Sequence, residues 1–186
     1  MSLLKKPFFA VLLSVLLVLG ATAASVGAKL SGACGEVTDG FYYGVKYAGE
    51  KHPAIADEIR ALCSVADGLT VIANNYGIKT TELSEQSAAL LKTLNSDGQN
   101  VAQLSEQYKL FYSTVKALEE QLHTSALSDR HMAQMQDYSA QIADISAAIA
   151  GSGYNDTVRE FLQSNDRFPA SSFAELFGID YPAYFG

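Results

Sequence analysis

The sequence predicts an all-α protein: an N-terminal membrane helix, then an antiparallel helical bundle with a short C-terminal helix and an aromatic tail docked on it. Three observations carry this. Residues 8–28 form an uncharged, largely apolar run. Between residues 54 and 168, Ala, Leu, Gln, Glu and Ser dominate, and apolar residues recur at spacings of three and four, as on one face of a helix. No segment alternates apolar and polar residues like a half-buried strand. A chain of 186 residues suffices for one domain with a sizeable core and an N-terminal extension.

The apolar run defines the first segment, residues 1–30. Roughly 20 apolar residues cross a bilayer, so the lipid bilayer is the expected partner of residues 8–28. The strongest part, Phe8–Leu19, also suits a signal-peptide core, and Ala21–Ala23 offers a small-residue cleavage site. Composition leaves a transmembrane anchor and a signal peptide both open. Lys5 and Lys6 place the N-terminus in the cytoplasm by the positive-inside rule. The domain then lies outside, on a single-pass protein of the cell membrane or on one secreted after cleavage near Ala23.

Residues 31–52 are Gly-rich and read as an irregular connector carrying Tyr42, Tyr43 and Tyr47. The helical domain is expected over 53–186. Its first helix starts at Pro53, with Asp57 and Glu58 complementing the dipole and Gly77 capping the end. Ile55, Ile59, Leu62, Ala66, Leu69, Ala73 and Tyr76 form its stripe. A shorter helix carries Leu83, Ser87, Leu90, Leu91 and Leu94, and Asn95–Gly98 makes a turn. Ser96 and Gln99 then fit a capping box for a helix whose stripe is Val101, Leu104, Tyr108, Phe111, Val115, Leu118 and Leu122. That unbroken pattern suits a bundle seam or a coiled coil. After a turn at Ser125–Ser128, Met135, Tyr138, Ile142, Ile145 and Ile149 mark the next helix.

Gly151 and Gly153 then interrupt the pattern. Val158 falls nine residues after Ile149, roughly 180° round a straight helix, so a kink or restart is expected at 151–153. Asn155 or Asp156 is placed to cap the new helix, with Thr157 and Glu160 as a capping box. Pro169 ends it and starts a short helix in which Phe173, Leu176 and Phe177 face one way. Gly178 stops that turn, and Tyr181, Tyr184 and Phe185 follow. Such a density of aromatics is expected to fold back over the bundle as a plug.

Tyr154, Asn155, Val158, Phe161, Phe168, Pro169, Leu176, Phe177, Gly178, Tyr184 and Phe185 closely resemble the C-terminal signature of the LemA family. These are bacterial proteins with one N-terminal membrane segment and an antiparallel helical domain. The first domain helix departs from the family, with no Trp and little positive charge in "CSVADGLTVIANNYG". The resemblance is strong over the C-terminal stretch and architectural elsewhere. It implies a divergent member, architecture and membrane attachment, and it favours an anchor over a cleaved signal. It implies no defined chemistry.

The residues themselves point to no reaction either. Glu120 and His123 make one Glu-x-x-His pair, but di-iron bundles need two such pairs. The stripe through Leu118 and Leu122 puts this pair on the solvated rim. His131, Asp129 and Asp137 gather near a helix turn, where polar residues are ordinary. No nucleophile elbow, P-loop or dinucleotide fingerprint occurs. Neither a metal nor another cofactor is expected. Cys34 and Cys63 are open to two readings: a disulfide closing a loop of roughly 28 residues, worth a few kcal/mol, or two unpaired thiols. A net charge of −7 excludes nucleic acid as a partner.

The function expected is a membrane-anchored scaffold or assembly factor of the cell envelope. It acts through contacts with an unidentified envelope protein, or through homo-oligomers, without catalysis. The competing reading is an extracytoplasmic small-ligand sensor or binding module of helical-bundle type.

Overall fold

The computed structural model describes residues 7–96, 100–167 and 169–186, with side chains from Val11 onward. Lys5 and Lys6, the turn residue Gly98, Gln99 of the expected capping box, and Phe168 lie outside the described residues. The protein is all-α. Its helices are α1 (Pro7–Tyr43), α2 (Ile55–Asn75), α3 (Thr81–Leu94), α4 (Val101–His123), α5 (Asp129–Ala150), α6 (Tyr154–Asn165) and α7 (Ala170–Phe177). A two-stranded antiparallel hairpin, β1 (Lys46–Tyr47) and β2 (Glu50–Lys51), joins α1 to α2.

Helices α2–α5 form the bundle, most extensively as the pairs α2–α5 and α3–α4. The pairs are antiparallel. Tyr76 at the end of α2 bonds Ser128 at the start of α5, and Leu83 near the start of α3 lies beside Leu118 near the end of α4. Every apolar stripe residue expected on α2 from Ile55 to Ala73, and every one on α4, is buried. The α2 helix begins at Ile55 rather than Pro53, with Ala54 as its N-cap. Its end is a Schellman motif. The Gly77 amide bonds the Asn74 carbonyl and the Ile78 amide bonds the Ala73 carbonyl, with Gly77 at φ +70°. Asn100 caps α4 through its side chain, which accepts from the Gln103 amide.

The segment 31–52 is not an irregular connector. The apolar helix continues through it to Tyr43, so α1 is one 37-residue helix. Leu30, Cys34, Val37 and Phe41 recur at spacings of four and three and are all buried. Each glycine costs a helix roughly 1 kcal/mol relative to Ala, which the burial of four such side chains outweighs at about 1.5–3 kcal/mol per large one. Gly40 also makes room for a neighbour, since a Cβ there would stand 2.5 Å from Val45 Cγ1. Ala48 (φ +51°) and Gly49 (φ +87°) form the hairpin turn, too short a feature to leave a sequence pattern.

The helix restarts where the phase change requires it, with Gly151 ending α5 and Gly153 (φ +72°) preceding α6. No side chain caps α6: Asn155, Asp156 and Thr157 all lie inside it. Asn155 is turned to another task.

Candidate functional site

The C-terminal motif gathers at one end of the bundle. Gly153 lets the chain turn sharply there, packed so closely on Tyr47 that a Cβ would lie 2.9 Å from the Tyr47 Cβ. Tyr154 is thereby driven into the core with no exposed surface. Its ring meets Phe41 of α1 edge-on at 5.6 Å, and its hydroxyl donates to the Ala183 carbonyl at 3.0 Å. The Asn155 carboxamide donates to the Phe185 carbonyl at 2.7 Å and accepts from the Phe185 amide at 2.9 Å. Held at both backbone groups, Phe185 wedges its ring between Phe41 (5.1 Å) and Tyr108 of α4 (5.0 Å). The Gly186 amide donates to the buried Ser105 hydroxyl. One turn on, Val158 and Phe161 are buried, and Phe161 meets Tyr181 edge-on. The Tyr181 hydroxyl donates to the Asn165 carbonyl at 2.8 Å.

The tail after α7 is therefore docked, and the lock ties together α1, α4 and α6. Its chemistry is that of a fastener. Burial, and to a lesser degree Tyr112, pushes the Tyr108 phenol up to about 12. Burial, then Tyr42, raises Tyr154 as well. Neither phenol exchanges protons near neutrality, so both act as fixed polar groups. Sequence reasoning placed Tyr154, Asn155 and Phe185 in one motif but missed Phe41, Ser105 and Tyr108 as their counterparts. Only the spacing of Phe41 from Leu30 and Val37 hinted at it.

The remaining motif residues are spread out. Pro169 is exposed at the N-cap of α7, and Gly178 (φ +61°) ends that helix. Tyr184 is half-exposed. The expected plug face of α7 is not buried in the bundle: Leu176 is 69% and Phe177 44% exposed. The part of α7 that is buried is Ala174. The short helix lies on α1 instead, with the Phe177 ring against Gly27, and the bundle is closed by Tyr181, Pro182 and Phe185.

Glu120 and His123 are both exposed on α4, beside a shallow depression of ≈ 620 Å³ open to solvent. The neighbouring Glu119 is the buried acid. Burial alone would raise its pKa, but its bond to Lys116 at 2.5 Å, with the His123 charge adding to it, holds the carboxyl below its ordinary value. His131 takes part in a corner between α2 and α5. Tyr76 Oη accepts from the Ser128 amide (2.9 Å) and stands 2.8 Å from His131 Nδ1. Asp129 is exposed, and Asp137 accepts from Gln141. Among the described residues no group of three or more His, Cys, Asp or Glu is placed to hold a metal ion.

The two cysteines are free thiols, which settles the choice left open by the sequence. They face different neighbours. Cys63 on α2 lies beside Ser87 of α3, while Cys34 on α1 lies toward Tyr181. Burial raises both thiols, with Ser87 partly offsetting it at Cys63. Of the connector tyrosines, Tyr42 and Tyr47 pack against the core and Tyr43 is 73% exposed. Comparison with protein-family models, curated proteins and solved structures yields no match.

Proposed function

We propose that this chain is a membrane-anchored helical protein of LemA type, with a cytoplasmic N-terminus and an extracytoplasmic domain. It serves as a scaffold or assembly factor through protein contacts and catalyses no reaction. The observation that carries the reading is the continuity of α1. Val11–Leu19 have exposed side chains, whereas Leu30, Cys34, Val37 and Phe41 of the same helix belong to the bundle core. A helix long and apolar enough to span a bilayer is thus built into the domain without a hinge. Such a rod fixes the height and tilt of the bundle above a membrane, which suits a platform that presents a surface to partners. The shallow, solvent-open character of the depression beside His123 fits protein contact better than enclosure of a small ligand. The C-terminal motif resembling the LemA signature supports the same assignment.

Crosslinking in the native membrane followed by mass spectrometry tests the reading, together with intact mass of the membrane-extracted protein. The expected result is a full-length chain crosslinked to a defined envelope protein or to itself. A mature start at Ala24 overturns the anchor, and a full-length chain that crosslinks to nothing overturns the scaffold.

A further inference from the structure

We infer that α7 is a membrane-interface helix, seated with Phe173 and Leu176 among the lipid chains of the outer leaflet beside α1. This rests on residues 8–28 of α1 staying in the bilayer. The first support is position. The run from Phe8 to Ala28 is helical throughout and extends roughly 32 Å at 1.5 Å per residue, close to the ~30 Å hydrocarbon thickness. The charge of Lys29 follows directly. The water-side boundary of the hydrocarbon therefore falls near Gly27 and Ala28. Phe177 of α7 rests on Gly27 itself, so closely that a Cβ there would stand 2.7 Å from Phe177 Cδ2. The Phe173 ring stacks on Phe177 at 6.4 Å.

The second support is the division of α7 into three sectors at roughly 100° per residue. Ala170, Ala174 and Phe177 fall on the side toward α1, and Ala174 is buried there. Ser171, Ser172 and Glu175 fall opposite, where Glu175 and Ser172 are exposed. Phe173 and Leu176 occupy the sector between. Packing on α1 does not account for that apolar sector, because Leu176 is 69% exposed. A helix with apolar and polar faces lies in the plane of the interface with its apolar side buried in the headgroup–acyl boundary. Here the boundary is already supplied by the helix that α7 touches, so the apolar sector continues the lipid-facing surface of α1. The acidic Glu175 and the absence of basic residues in α7 make the attraction apolar rather than electrostatic.

The chain has no Trp, so single-Trp variants report depth directly. Leu176→Trp, Val18→Trp and Leu110→Trp, each of the full chain in phosphatidylcholine vesicles, are read with lipids brominated at shallow or deep chain positions. The three native side chains are all well exposed, which spares the fold. Leu176→Trp is expected to shift to the blue and to lose most of its emission to the shallow bromines. Val18→Trp is expected to be quenched by the deep ones and Leu110→Trp by neither. An unquenched Leu176→Trp beside a quenched Val18→Trp overturns the interfacial helix and leaves the anchor standing. A blue-shifted but unquenched Leu176→Trp overturns it in favour of a second protein copy on that face. If Val18→Trp is also unquenched, the anchor falls and the interfacial helix falls with it.

Discussion

The side-chain amide of Asn155 pairs with both backbone groups of Phe185, giving one hydrogen bond of 2.7 Å and taking one of 2.9 Å. The pairing reproduces the hydrogen-bond pattern of an adjacent strand with a single side chain. It fixes the end of the tail thirty residues beyond Asn155 in sequence, and with it the seat of the Phe185 ring.

Asn155→Ala removes both bonds and is expected to cost about 1–3 kcal/mol in urea denaturation, because the Phe185 groups are left without partners. Asn155→Asp is no rescue. It keeps the acceptor but sets a second oxygen against the Phe185 carbonyl. Deuterium exchange at the Phe185 amide reports the loss locally.

Phe185→Ala is expected to destabilise the protein by about 3–5 kcal/mol, since it opens a cavity between Phe41 and Tyr108 where the side chain is 3% exposed. Phe177→Ala, in contrast, is expected to leave the unfolding midpoint of the bundle nearly unchanged. Its ring is 44% exposed and touches α1 rather than the bundle interior. A reversed ranking in thermal melts refutes the closure by Phe185.

Gly153→Ala places a Cβ at φ +72° and against Tyr47. The left-handed conformation alone costs about 1–2 kcal/mol for a residue with a Cβ. A loss of about 2 kcal/mol or more is expected, while Gly77→Ala, with open space around it, loses only the conformational part. The two melting temperatures compared side by side check this.

Glu119 gives the protein a pH dependence whose sign is fixed. Its carboxyl titrates lower in the folded state than in the unfolded chain. The stabilisation is therefore present above the ordinary carboxylate pKa and is lost as pH falls through the depressed folded value. Glu119→Gln is expected to be less stable than the native protein at neutral pH by about 1 kcal/mol, the low end for a bond to a charged group because Lys116 is half-exposed. The gap is expected to close in acid. A difference independent of pH argues that the loss is one of packing.

Cys34 and Cys63 are 7% and 2% exposed, and burial raises both thiols, so little thiolate forms at neutral pH. Alkylation of the native protein is expected to be slow at both positions and rapid in denaturant. Intact mass without reductant is expected to show two free thiols, and a mass lower by two hydrogen atoms refutes it.

The sequence by itself determined the helices of the bundle and which face of each goes inward. Ile55 to Ala73 and Val101 to Leu122 are buried as their spacing requires, because a 3.6-residue period leaves an apolar stripe one way to escape water. The restart at Gly151–Gly153 was equally legible, since two stripes out of phase cannot share a straight axis. Local signals misled where a competing partner was out of view. The glycines of residues 31–52 read as a connector, yet Leu30, Cys34, Val37 and Phe41 find burial against other elements that repays a continuous helix. Asn155 read as a cap, and only the folded chain brings Phe185 within its reach. Phe173, Leu176 and Phe177 are apolar at helical spacing, but periodicity states that residues are apolar without stating what covers each of them. The tertiary structure decided that, by giving the bundle end to Phe185 and laying α7 along α1 at Gly27.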